Sequence, residues 1–203
     1  MRPLSSSTNL LRRRLSALTL VTAALLTMPA TTAAAQPAAP SGASASKQLD
    51  IAMQAQQKDN WCWAASGNTI AAFYGHTYSQ NTFCNAAFNR SVSSTCPNNQ
   101  ATLGNVQNAF DWAGINAGSY VSSPLNYSTV QKEINANRPI ETRIGWDSGG
   151  GHMHVIYGFD TANSLVYWGD PWPSSDRYNW ASHSWYPNNN SFDWTHSLYR
   201  IGA

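Results

Sequence analysis

The apolar pattern of this 203-residue chain changes period at Pro139, and that change restricts the fold more than any other feature. Ahead of it, four segments carry helical spacing with helix start and stop signals. The first runs over about 61–74, Ala-rich, with Asp59 and Asn60 as N-cap candidates and Gly75 as a stop. The second follows Ser79 through Cys84 and Phe88. The third, 102–113, places Leu103, Val106, Phe110 and Ala113 on one face and ends at Gly114. The fourth covers Ser128 to Asn137. Beyond Pro139 the runs shorten to strand length: Ile140–Trp146, His152–Phe159 and Leu165–Trp168, with further strands near Trp180–Trp185 and His196–Ile201. Helices first and strands later predict an α+β fold with two segregated halves, a helical N-terminal lobe and an antiparallel β lobe after it. A site belongs between the halves.

The body of the chain begins well after residue 1. Arg12, Arg13 and Arg14 precede an apolar stretch from Leu15 to Met28, and Ala33-Ala34-Ala35 follows. That is the layout of a secretory signal over 1–35, too short in its apolar part to span a bilayer. Residues 36–49 are rich in Pro, Ala, Ser and Gly and read as a flexible linker, too short for a folded pro-domain. The folded domain is then 50–203, and the mature protein is expected to be secreted and extracellular, off the membrane. Residues 36–203 carry eight of the twelve basic residues and all ten acids, a net of −2. A mildly acidic body without a basic stripe argues against nucleic acid as a partner.

Export permits disulfides, and there are three cysteines, an odd number. Cys84 and Cys96 enclose a Ser/Asn-rich loop suited to closure by a bridge. Cys62 is left over, in the first turn of the first predicted helix, where unpaired N–H groups and the helix dipole favour a thiolate. Acyl transfer by a thiol needs a base, a group that orients the base, and donors for the oxyanion. His152, after three glycines, is the candidate base, and Asp170, at a strand end before Pro171, the candidate orienter. Gln56, with the Cys62 N–H, is the candidate oxyanion donor. Trp61, Trp63 and His154 are candidates for contact with substrate, with packing as their competing role. The other tryptophans, Trp168, Trp172, Trp180, Trp185 and Trp194, either line a binding face or pack the sheet.

These residues resemble the papain-like cysteine peptidases. In that clan a Gln precedes the catalytic Cys by six residues and the Cys starts a long helix with Trp after it. Gln56 through Trp61-Cys62-Trp63-Ala64-Ala65-Ser66 repeats that pattern. The clan's His is followed by apolar strand residues and a Gly six positions on, as in His152-Met153-His154-Val155-Ile156-Tyr157-Gly158. Two residues apart in a strand share a face, so His154 competes with His152 for the base, and the spacing to Gly158 favours His152. The nearest resemblance is to the short secreted bacterial branch. It includes effector proteases of plant pathogens and, more distantly, bacteriocin-processing peptidases. The chain departs from many members in having Asp170 where they have Asn. The resemblance covers about 51–171 and implies a papain-like fold with Cys62 on a central helix. It also implies a monomeric endopeptidase that acts on protein or peptide substrates through a thioester and needs no cofactor or metal. Two alternatives share part of this logic: a cell-wall peptide amidase or transferase of the same clan, and a non-catalytic Trp-rich binding domain. His152-x-His154 with Asp170 is also a conceivable zinc set, without the helical spacing of the common metallopeptidase motif.

Overall fold

A computed structural model describes residues 46–203. The proposed signal, 1–35, and most of the proposed linker lie outside the described residues. The described residues form four helices and seven strands: β1 (Ser46–Gln48), α1 (Cys62–Phe73), α2 (Gln80–Ala87), α3 (Leu103–Trp112), β2 (Ser119–Val121), α4 (Tyr127–Asn135), β3 (Ile140–Trp146), β4 (Gly151–Asp160), β5 (Leu165–Gly169), β6 (Tyr178–Ser182) and β7 (Phe192–Tyr199). The fold is α+β, with the helices early and an antiparallel sheet built mainly from the later half. None of the helices described is long and apolar enough to cross a membrane.

The sheet runs β2-β7-β3-β4-β5-β6, and β1 also pairs with β4. β3 occupies one edge of β4 from Gly151 to Ile156, and β1 continues along the strand at Gly158 to Asp160. Residues 46–48 are therefore part of the domain, and the expected linker ends earlier than position 49. Composition hid this, because a three-residue strand carries almost no periodic signal. Gly158 sits where β1 and β5 crowd β4: a Cβ there would come within 2.8 Å of the Gln48 side chain and 3.1 Å of Tyr167. The sixth position after His152 is thus Gly for a steric reason.

α1 is buried along most of its length, from Trp63 to Ala71. Small residues make this possible. Gly67 lets the ring of Phe83 and Val106 close on the helix, since a Cβ would lie 2.6 Å from Phe83. Several of its buried polar groups are paired: Ser66 Oγ donates to the Met153 carbonyl on β4, Thr69 Oγ1 to the Ala65 carbonyl, and Asn68 Nδ2 to the Tyr78 carbonyl. Phe83 and Phe110 meet edge to face, 5.7 Å apart, and Trp63 meets Phe88 at 5.5 Å. These contacts join α1, α2 and α3 into one apolar cluster, with α1 against β4.

Candidate active site

α2, α3 and α4 each begin with a side-chain cap: Ser79 accepts from Thr82 N, Thr102 from Asn105 N, and Asn126 from Thr129 N. α1 does not. Its N-cap is Trp61, not the expected Asp59 or Asn60, and no side chain bonds the first turn. That leaves the first-turn N–H groups and the positive end of the dipole to Cys62, the first helical residue. Cys62 is a free, half-buried thiol.

The turn before Cys62 is fixed from two sides. Trp61 Nε1 donates to the Pro97 carbonyl at 3.0 Å and Trp63 Nε1 to the Asn99 carbonyl at 3.1 Å. Lys58 Nζ donates to the Cys96 carbonyl and lies 4.2 Å above the Trp61 ring centroid. Cys96 is bonded to Cys84 of α2. The disulfide thus holds the strap that holds both tryptophans. Trp61 is 1% exposed with its N–H taken, so its role is packing and not contact with substrate. Trp63 is equally buried but contributes to the cleft wall.

His152 and Asp170 are brought together by strand register. Val155 of β4 lies opposite Gly169 of β5, so the residue after Gly169 falls beside the start of β4. His152 Nε2 and Asp170 Oδ1 are 2.7 Å apart. Asp170 is itself held: its Oδ1 accepts from Trp172 N at 2.8 Å, and its backbone N–H donates to the Arg177 carbonyl. With Nε2 on the carboxylate, Nδ1 is the nitrogen left for Cys62. Burial opposes charge on His152, but hydrogen bonds to Asp170 and Cys62, and their negative charges, outweigh it and raise its pKa to about 9. Burial likewise opposes charge on Asp170, yet the two histidines hold it well below the usual carboxylate range.

His154 lies behind this pair. It is buried, its Nδ1 is 3.1 Å from the Tyr186 hydroxyl, and its Nε2 is 3.7 Å from Asp170 Oδ2. Burial lowers its pKa, and the nearby His152 cation adds to that, so it is neutral. A ring enclosed in this way does not touch substrate, which corrects that expectation. Tyr186 also meets Thr142 Oγ1 at 2.9 Å, completing a buried chain behind Asp170. His152, His154 and Asp170 place three ligand atoms within 4.8 Å of one another, as a metal set would. His152 Nε2 and Asp170 Oδ1 are already hydrogen-bonded to each other.

The Gln56 amide is engaged within its own turn. Its Nε2 donates to the carbonyls of Lys58 and Asp59, at 2.9 and 2.8 Å, and its Oε1 is buried without a partner. Its backbone N–H donates to the Pro171 carbonyl at 2.8 Å, which ties the turn before Cys62 to the residue after Asp170.

Cys62, His152 and Asp170 line one cleft of about 360 Å3. Sequence reasoning missed Trp146, which stacks on His152 at 6.0 Å. Trp172, one of the tryptophans expected either to line a binding face or to pack the sheet, lines the cleft and meets the same ring edge-on at 6.3 Å. Both are exposed, whereas Trp168 and Trp194 are core residues. Glu141 was missed too. It is fully buried with both carboxylate oxygens unpartnered, and burial, with the nearby Cys62 charge, raises its pKa well above the usual range. It is therefore a neutral acid. Neither residue stands in a motif; β3 brings both to the site through pairing.

The chain is similar in fold to a double glycine motif protease from an AMS/PCAT transporter, solved in complex with the leader peptide. That match has 17% identity, a TM-score of 0.49, and covers 77% of this chain and 95% of that one. It is also similar to Xylellain, a cysteine protease from Xylella fastidiosa, at 9% identity and TM-score 0.46, covering 76% and 85%. No curated protein matches. Residues 45–191 match the family described as papain-like cysteine protease AvrRpt2. The match reaches past Asp170 into the tail and begins at the edge of β1. The chain belongs to this family of papain-like cysteine proteases, and is a cysteine peptidase, a hydrolase.

Proposed function

We propose that the protein is a secreted endopeptidase that cleaves protein or peptide substrates with Cys62, His152 and Asp170, through a thioester. The observation that carries the reading is the His152 ring, gripped by Asp170 at 2.7 Å through Nε2 and interacting with Cys62 on its other side. In that arrangement His152 bears the proton and Cys62 the negative charge. The thiolate attacks the substrate carbonyl carbon, and the carbonyl oxygen becomes an oxyanion beside the uncapped start of α1. The C–N bond breaks as His152 donates its proton to the leaving amine. Water then gives a proton to His152 as its oxygen attacks the thioester, and the acid product leaves with Cys62 restored as thiolate. Asp170 holds the tautomer and stabilises the imidazolium. All three groups come from one chain, which supports a monomer as the working unit. Export is supported by the N-terminal pattern and by a disulfide beside a free thiol.

Gln56 enters this mechanism if one of its amide protons leaves the Lys58 or Asp59 carbonyl for the oxyanion. The test of the whole reading is cleavage of a diverse peptide mixture under mild reductant, read by mass spectrometry for the wild type and Cys62→Ala. Cleavage by the wild type alone is expected, with Cys62→Ala as stable as its parent. Equal cleavage by both would remove Cys62 from the mechanism.

A further inference from the structure

Beside the cleft at Cys62 is a second hollow, of about 520 Å3. The two share Ala101 and Arg143 as lining, and the hollow is lined also by Leu103, Gln107, Tyr120 and His196. No acidic residue lines this hollow. His196, stacked on Tyr120, is neutral at pH 7, because burial and the Arg143 cation both lower its pKa. The charge there is that of Arg143 alone.

Arg143 is held but not neutralised. Its Nη1 donates to Thr195 Oγ1 at 2.9 Å, and that hydroxyl donates to the Arg143 carbonyl at 3.0 Å. No carboxylate among the described residues pairs with it. The guanidinium lies on Gly151, where a Cβ would come within 2.6 Å of Nη2. Arg143 and His152 both line the cleft, the cation on the Gly151 face of β4. The start of α3 adjoins the same hollow, and its capping box engages the Thr102 and Asn105 N–H groups. A half-buried, pre-positioned guanidinium with free donors is matched by a planar carboxylate, which it can bind through two parallel hydrogen bonds.

We propose that Arg143 and the hollow beside it form a subsite for an acidic side chain of the substrate, on the side of the scissile bond away from Asp59 and Trp172. The proposal rests on the peptidase reading and adds selectivity to it. Peptides matched except for Glu or Gln at one position at a time, on both sides of the scissile bond, test it against wild type, Arg143→Gln and Arg143→Lys. At one position the wild-type Glu/Gln ratio in kcat/KM should reach about tenfold, as for a charge-assisted hydrogen bond. It should fall as salt is added, approach one in Arg143→Gln and be partly kept in Arg143→Lys. A wild-type ratio near one at every position overturns the subsite, as does a preference that survives Arg143→Gln. Should Arg143→Gln fail to fold, the salt dependence of the wild-type ratio decides. Cleavage that depends on Cys62 but ignores acidity overturns the subsite alone. No cleavage of any peptide by the wild type overturns the peptidase reading and the subsite with it.

Discussion

His152 sets the pH range over which the site keeps its charges. Its pKa is raised from 6.5 to about 9 because the hydrogen bonds to Asp170 and Cys62 overcome burial. The cation, and the pairing it gives Cys62, is therefore fully present below the ordinary histidine range and is lost as pH rises through about 9. The alkaline limb of kcat/KM should lie near pH 9. Asp170→Ala removes a hydrogen bond and a charge that favour the imidazolium, so that limb should move to lower pH, and kcat should fall by about 10²–10⁴. A limb that stays in place in Asp170→Ala would mean the carboxylate does not tune His152. Gln56 admits an equally direct test. As an oxyanion donor its loss in Gln56→Ala costs about 10²–10³ in kcat with KM little changed. As a brace for the 56–59 turn alone, its loss lowers Tm and spares kcat. The residues of the proposed triad were legible because each announces itself locally: a thiol at a helix start, a histidine opening an apolar strand, an acid before a proline. Arg143, Trp146 and Glu141 were not, since each matters only through the partners that β3 brings near.

At the scale of elements, the strap from Cys96 to Asn99 connects stability to the geometry of the proposed nucleophile. It accepts hydrogen bonds from Lys58, Trp61 and Trp63, one on each side of Cys62 and one from the turn before. The Cys84–Cys96 bridge anchors it to α2 across a separation of 12 residues. A loop of this size is worth about 3 kcal/mol against the unfolded chain. For a domain this large that is roughly 6–12 °C in Tm. Replacing both cysteines by Ala should therefore lower Tm by that amount in thermal unfolding. It should also lower kcat/KM at temperatures well below the new Tm, because the first turn of α1 loses its outer support. A drop in Tm without any loss of activity in the folded variant would show that the strap stabilises without positioning. The pairing of Cys84 with Cys96 was readable from the loop between them. The strap's grip on Trp61 and Trp63 was not, because backbone carbonyls have no sequence signature.

Over the whole molecule, the change of period at Pro139 foretold the division into helices and sheet, while the shortest strands escaped it. β2 and β1 are three residues each, below the length at which alternation shows, and both are fixed by partners far away in sequence. β1 matters more than its length suggests. Its register sets Ser46 against Asp160 and Gln48 against Gly158, on the strand that carries His152. Lys47 Nζ donates to the Asn135 carbonyl and to Asn137 Oδ1, joining β1 to the end of α4, and Leu49 is buried in the core. A chain that starts at Asp50 loses these bonds and uncovers the crowded notch at Gly158, whereas one that starts at Ser46 keeps them. The shorter chain should be the less stable by about 2–4 kcal/mol, counting one buried Leu and a few net hydrogen bonds. The test is urea unfolding of the two chains side by side, with hydrogen exchange at β4. Faster exchange from Gly158 to Asp160 in the shorter chain is expected, because that end of β4 then has β5 alone beside it. Equal stability and equal exchange would put the true start of the domain at Asp50 and reduce β1 to a decoration on the sheet.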